Sequence, residues 1–174
     1  MDPARPTAPE PATLLLAETV ASFALQKAMA ERAFAQLPDD AWHRALGRED
    51  NSIAVLVRHL AGNLGSRWRD VFTTDGEKPD RDRDGEFEAT ERSPDELRAE
   101  WAAAWAITSE ALASFTATDL TRTVVIRGEP TTLAQALVRS LTHLSGHVGQ
   151  IVLLAKHHAG DDWSTPSIPR RRAG

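Results

Sequence analysis

Apolar residues recur at helical spacing in four separate stretches, and each stretch opens or closes on a residue type that starts or stops a helix. A chain patterned in this way folds by burying four amphipathic faces against one another, so it reads as all-α, a four-helix bundle. The first stretch runs from about Ala12 to Leu37 along Leu15, Leu16, Val20, Phe23, Ala24, Ala30, Phe34 and Leu37, and Pro38 with Asp39 and Asp40 ends it. The second starts at Asn51 or Ser52, both good capping residues, and continues to about Phe72 along Ile53, Val57, Leu60, Leu64, Trp68 and Val71. Ser93-Pro94-Asp95-Glu96 opens the third with a hydroxyl at the cap, proline at the first helical position and Glu three residues on. Its expected inner face is Leu97, Trp101, Ala104, Trp105, Thr108, Leu112 and Phe115. The fourth opens at Thr131 or Thr132, with Gln135 placed to complete a capping box. It reaches about His158 before Gly160 and carries Leu133, Leu137, Leu141, Leu144, Val148, Ile151 and Ala155.

The connections differ in kind. Thr73 to Arg92 is a long, charge-dense loop between the second and third helices, and connections of that length inside a compact domain are usually functional or mobile. Thr121 to Ile126 is rich in β-branched residues and precedes Arg127-Gly128-Glu129-Pro130 as a turn, which predicts a short β element before the fourth helix. The domain organisation expected is a proline-rich, disordered lead over 1–11, one bundle over 12–160 and a tail over 161–174 that ends in Arg170-Arg171-Arg172.

With 174 residues, such a chain buries roughly 70% of the surface it exposes when unfolded and needs no covalent staples. It has no cysteine, which removes disulfides, thiolate ligands and a cysteine nucleophile, and fits a reducing cytosol. A net charge of −5 argues against a nucleic-acid partner. No apolar run approaches the roughly 20 residues that span a bilayer, so no membrane association and a cytoplasmic location are expected. Abundant Ala, and Arg in excess of Lys, point to a GC-rich bacterial genome.

The chemistry concentrates in histidine. His143 and His147 are one turn apart on the fourth helix, so both imidazoles lie on one face, and His59 sits on the second. At about 100° per residue, His147 falls about 80° and His143 about 120° from the centre of the apolar stripe, with His59 offset comparably. Such shoulder positions suit a cleft between helices. Two imidazoles at this spacing can hold one divalent ion, and a third from a packed neighbour leaves an open position. The plain alternative for each histidine is a half-buried ring bonded to a backbone carbonyl. Asn63 and Arg67 share the shoulder with His59, and Gln150 lies near the His143 direction; these three are candidates to orient a ligand or substrate. His157 and His158 suit the helix C-terminus, and His43 carries little signal.

These residues together resemble the DinB-like superfamily of metal-binding four-helix bundles, in an uncharacterised branch. The likeness rests on Asn51-Ser52-Ile53-Ala54, His59-Leu60-Ala61-Gly62-Asn63, Arg67-Trp68 and Thr73-Thr74-Asp75-Gly76-Glu77-Lys78-Pro79-Asp80-Arg81. It continues through His143, His147-Val148-Gly149-Gln150-Ile151 and the Ser167-Ile168-Pro169 tail. The resemblance implies an up-down-down-up helix order and a divalent metal such as zinc, nickel or iron on His59, His143 and His147. It further implies a homodimer, and in some members a transferase or isomerase activity that uses a low-molecular-weight thiol.

The expected function is therefore a metal-dependent transferase, isomerase or hydrolase acting through a cosubstrate thiol or a metal-ligated water, whose pKa a zinc-type ion lowers to about 7. Arg67, with Lys78 or Arg81 from the loop, is expected to hold the cosubstrate's carboxylates. The alternative is a non-catalytic, dimeric ligand-binding or regulatory bundle with a structural metal or none, since no recognisable acid, base or nucleophile accompanies the histidines.

Overall fold

A computed structural model describes residues 10–168. Residues 1–9 of the expected lead, and Pro169 with the Arg170-Arg171-Arg172 run, lie outside the described residues. Four long helices and one small hairpin follow in order: α1 (Pro11–Phe34), α2 (Ile53–Trp68), α3 (Pro94–Ser114), β1 (Thr123–Ile126), β2 (Glu129–Thr132) and α4 (Leu133–Ala159). The most extensive packing is α2 on α3, then α1 on α4, with α2 also lying against α4. Among the described residues no helix is long and apolar enough to cross a membrane.

The helix starts follow their capping chemistry. Ser52 accepts a hydrogen bond from the Val55 N–H at the head of α2. Ser93 with Glu96 and Thr132 with Gln135 form complete capping boxes at α3 and α4. Every position of the expected inner faces of α2 and α3 is buried, and aromatic rings fill the middle. Phe23 of α1 meets Trp68 of α2 edge-on at 6.1 Å, and Phe34 meets Trp101 of α3 at 5.4 Å.

Three boundaries differ from the sequence reading. The first helix stops at Phe34, and its last turn tightens to three-residue spacing (Gln36 N–H to the Ala33 carbonyl, Leu37 N–H to that of Phe34) before Pro38. On the same helix Leu15 and Ala24 face outward, because only one side of α1 is covered. The second ends at Trp68, since Arg69 is extended and Asp70 takes a left-handed φ of 49°. The hairpin pairs Ile126 with Glu129, so its two-residue turn is Arg127-Gly128, while Glu129 and Pro130 belong to β2. Both turn residues have positive φ, 57° and 77°, as the tight mirror-image turns joining twisted strands require.

The charged connection between α2 and α3 is pinned along its length. Asp75 accepts from the backbone N–H groups of Glu77 (2.7 Å), Arg127 (2.8 Å) and Gly128 (2.7 Å), tying the loop to the hairpin turn. Those bonds hold its carboxyl below the usual range, the Glu77 N–H contributing most. The Gly76 N–H donates to the Val125 carbonyl at 2.8 Å. Ser66 of α2 donates to the Gly76 carbonyl and accepts from the Lys78 N–H. Replacing Asp75 by Ala leaves three backbone donors without their acceptor. The expected loss is about 1–3 kcal/mol of unfolding free energy, measured by urea denaturation; an unchanged midpoint would show that the clasp is dispensable.

Candidate metal centre

Two helices face each other with matching columns. Helix α2 presents His59, Asn63 and Arg67 at one-turn intervals, and α4 presents Arg139, His143 and His147 at the same interval. His59 meets His143 and His147, while Arg67 lies among the charges of Arg139 and Arg127, so the columns run in opposite directions. Together they line a cavity of about 300 Å³.

The three imidazoles converge. One nitrogen from each of His59, His143 and His147 lies within 4.8 Å of the other two, close enough to hold a metal ion. The Nε2 atoms of His59 and His143 are 3.0 Å apart. Two nitrogens that each sit about 2.1 Å from a shared ion stand roughly 3–3.4 Å from one another, so this separation fits common ligation.

The tautomers are set from behind. His59 is buried, and its Nδ1–H donates to Glu86 Oε2 at 2.9 Å, which leaves Nε2 with a lone pair aimed at the cluster. Phe87 packs against the same ring at 4.5 Å between centroids. His147 Nδ1 is 2.8 Å from Gln150 Oε1, which directs its Nε2 inward likewise. Gln150 thus serves His147 rather than the His143 direction expected from angular position. Outer hydrogen bonds of this kind fix ring orientation and raise ligand basicity.

Glu86 is the site residue that sequence reasoning passed over. It is buried, and Arg81 grips it with Nε on Oε1 and Nη2 on Oε2, both at 2.7 Å, while Arg81 Nη1 reaches Glu77 at 3.1 Å. Burial alone would push the carboxyl up, but hydrogen bonds from Arg81 and His59 outweigh it and hold Glu86 ionised, below its ordinary value. Gly62 makes the room: a Cβ there would stand 2.0 Å from Glu86 Oε1.

One expected substrate-holding role is corrected. Lys78 is buried with its ammonium on the carbonyls of Ser66 (3.0 Å) and Asp75 (2.5 Å), so it clamps the loop and does not line the cavity. Arg81 reaches the cavity, but its fork is committed to Glu86 and Glu77. Asn63 and Arg67 do line it. Of the terminal histidines, His158 Nε2 lies 3.1 Å from the Arg44 carbonyl and ties the end of α4 to the segment before α2.

Electrostatics keep the two α4 imidazoles neutral. Desolvation, then the neighbouring His147, His59, Arg81 and Arg67, lower His143 to about 4. Desolvation also lowers His147, against the opposing pull of Gln150. Neutral imidazoles are the form that ligates a cation.

A family model described as a protein of unknown function, DUF1572, matches residues 10–172. No curated protein matches the chain.

The His143 shift has a consequence for the metal-free protein. Its folded value of about 4 lies below the unfolded 6.5, so protons favour the unfolded chain between those limits. After chelation, stability is expected to be full above pH 6.5 and to decline as pH falls toward 4, with His147 acting in the same direction. His143→Gln should flatten that decline, read from urea midpoints across the range. An identical slope in the variant would mean that the ring is not held neutral by folding.

Proposed function

The chain belongs to the DUF1572 family of proteins of unknown function, and from that premise we propose a divalent-metal enzyme centred on His59, His143 and His147. The observation that carries the reading is the convergence of three imidazoles with two of the rings oriented from behind, by Glu86 and Gln150. Zinc, nickel or iron suits an all-nitrogen donor set of this kind. Such an ion supplies Lewis acidity, which lowers the pKa of a ligated water or thiol. The chain itself contributes the rest. Glu86 holds the His59 proton on Nδ1, Arg81 keeps Glu86 ionised, and the packed α2–α4 wall shields one side of the centre. With no cysteine in the sequence, any thiol must come from a small cosubstrate. The reaction class is a transfer or isomerisation through that thiol, or a hydrolysis through water.

We place the fold in the DinB-like superfamily, as an up-down-down-up four-helix bundle over 12–160. The opposed columns of α2 and α4 and the long α2–α3 connection support that order. Cytoplasmic residence fits the cysteine-free composition. A homodimer fits Leu14 and Leu25, which share a line of α1 within about 20° and are 48% and 58% exposed; light scattering should return twice the chain mass, and a monomer would remove this part.

A second reading, a ligand-binding module with a structural ion, is favoured by one feature: the cavity wall holds no carboxylate to act as acid or base. Elemental analysis of tag-free protein should find about one divalent ion per chain, lost in His143→Ala. The loaded protein should then turn over electrophiles with a low-molecular-weight thiol, or hydrolyse esters, and lose that turnover on chelation. Metal without turnover would select the second reading, and no bound metal would remove the enzyme and leave only a metal-free binding module.

A further inference from the structure

The cavity beside the three histidines is walled by Arg67, Arg81, Arg83, Arg127 and Arg139, with no acidic side chain among its lining residues. Two of these cations are already matched: Arg81 by Glu86 and Glu77, and Arg127 by Glu77 at 3.2 Å. Arg83 is exposed and pairs with Asp84 at 3.3 Å. Arg67 is different. It is 7% exposed, projects from α2 two turns beyond His59, and makes no hydrogen bond to any described residue. Its stem is seated against Gly76, where a Cβ would stand 3.2 Å from Arg67 Cδ. Arg139 approaches from α4, one turn before His143, and also has no ion-pair partner among the described residues.

A guanidinium seated in a cavity wall with its donors unmatched carries a deficit that an anion would relieve. Here the deficit is compounded. Burial lowers the Arg67 pKa, Glu77 alone opposes that, and Arg139, Arg127 and Arg81 push it lower still. Neutral hydrogen-bonding groups lie beside the same space without partners. The Ser140 hydroxyl is buried and unmatched, and Asn63 is 9% exposed on the cavity wall between His59 and Arg67. A built oxyanion site needs these components: fixed forked cations, neutral donors, and no carboxylate to repel the guest.

We propose that Arg67 and Arg139, with Asn63 and Ser140, form the subsite for a doubly charged oxyanion group of a small molecule, a phosphoryl group or a paired carboxylate, whose remainder extends toward the three histidines. The assignment of that molecule as substrate rests on the metal reading above; the binding site itself does not. A cavity of about 300 Å³ is at the small end of ligand pockets, so the guest is a compact metabolite and not a nucleotide or a peptide.

The test is calorimetric titration of the full chain, chelator-treated and metal-loaded, with inorganic phosphate and separately with malonate. Saturable one-to-one binding of either is expected in both preparations, weakened about tenfold or more by Arg67→Met and by Arg139→Met, and unchanged by Arg48→Met on the exposed loop. Phosphate binding alone identifies a phosphoryl guest, malonate alone a dicarboxylate. Arg139 is exposed, so its variant keeps the test informative if Arg67→Met folds poorly. Absence of saturable binding by both anions, or binding indifferent to both substitutions, overturns the proposal. Oxyanion binding that survives in a protein found to take no metal would sink the metal reading alone.

Discussion

A carboxylate taken out of water is the constraint on which the rest of this site depends. Removing an ionised carboxyl from solvent costs several kcal/mol unless its lone pairs are met, and Glu86 is met three times, twice by Arg81 and once by His59. Each of those bonds needs the loop to pass at one depth over α2. Gly62 permits that depth by having no side chain. Ser66, Lys78 and Asp75 hold the chain to it through bonds to backbone atoms. The connection between α2 and α3 is therefore the back wall of the histidine cluster, and its length follows from having to reach both the hairpin turn and His59 before returning to Ser93.

Much of this was legible in the sequence because the responsible forces are local. Capping boxes and apolar periodicity act within a turn or two, so the starts of α3 and α4 and the inner faces of α2 and α3 could be read directly. The histidine cluster could be read too, since one-turn spacing fixes two of its members on a single face. Glu86 could not. Asp80, Asp82, Asp84 and Glu86 alternate through the loop with nothing in spacing to separate them, and only Phe87, an apolar residue in a polar run, marked where the chain turns inward. Lys78 misled for the same reason: a charge in a polar loop reads as free to meet a substrate carboxylate, and its burial depends on carbonyls supplied by Ser66 and Asp75. The early end of α2 had no breaker to announce it. Arg127 holds a left-handed conformation that glycine would adopt more readily, because Asp75 captures its N–H and that of Gly128.

Charge is sorted by depth. The chain as a whole is acidic at −5, yet the lining of the cavity beside the histidines is entirely cationic or neutral. Glu77 and Glu86 brace Arg81 and Arg127 from outside the space and leave their positive field directed inward. That field is one reason His143 stays neutral.

Neutral imidazoles in a positive cavity set a condition on any cation they hold. Carboxylate ligands would cancel part of the charge of a divalent ion, whereas three imidazoles cancel none of it. An ion at this centre would therefore add two positive charges beside Arg67 and Arg139, and at an effective dielectric near 20 each like pair within several ångströms costs on the order of a kcal/mol or more. With such an ion in place, a ligand that brought negative charge between the histidine end and the arginine end would restore the charge balance. Cation and anion should then stabilise one another, each lowering the electrostatic cost of the other, as linkage requires. The fold supports this by giving the two ends of the cavity to the same pair of helices: α2 carries His59 and Arg67, and α4 carries His143 and Arg139. The spacing between the three histidines and the Arg67–Arg139 pair is thus fixed by two turns of rigid helix on one wall and one turn on the other.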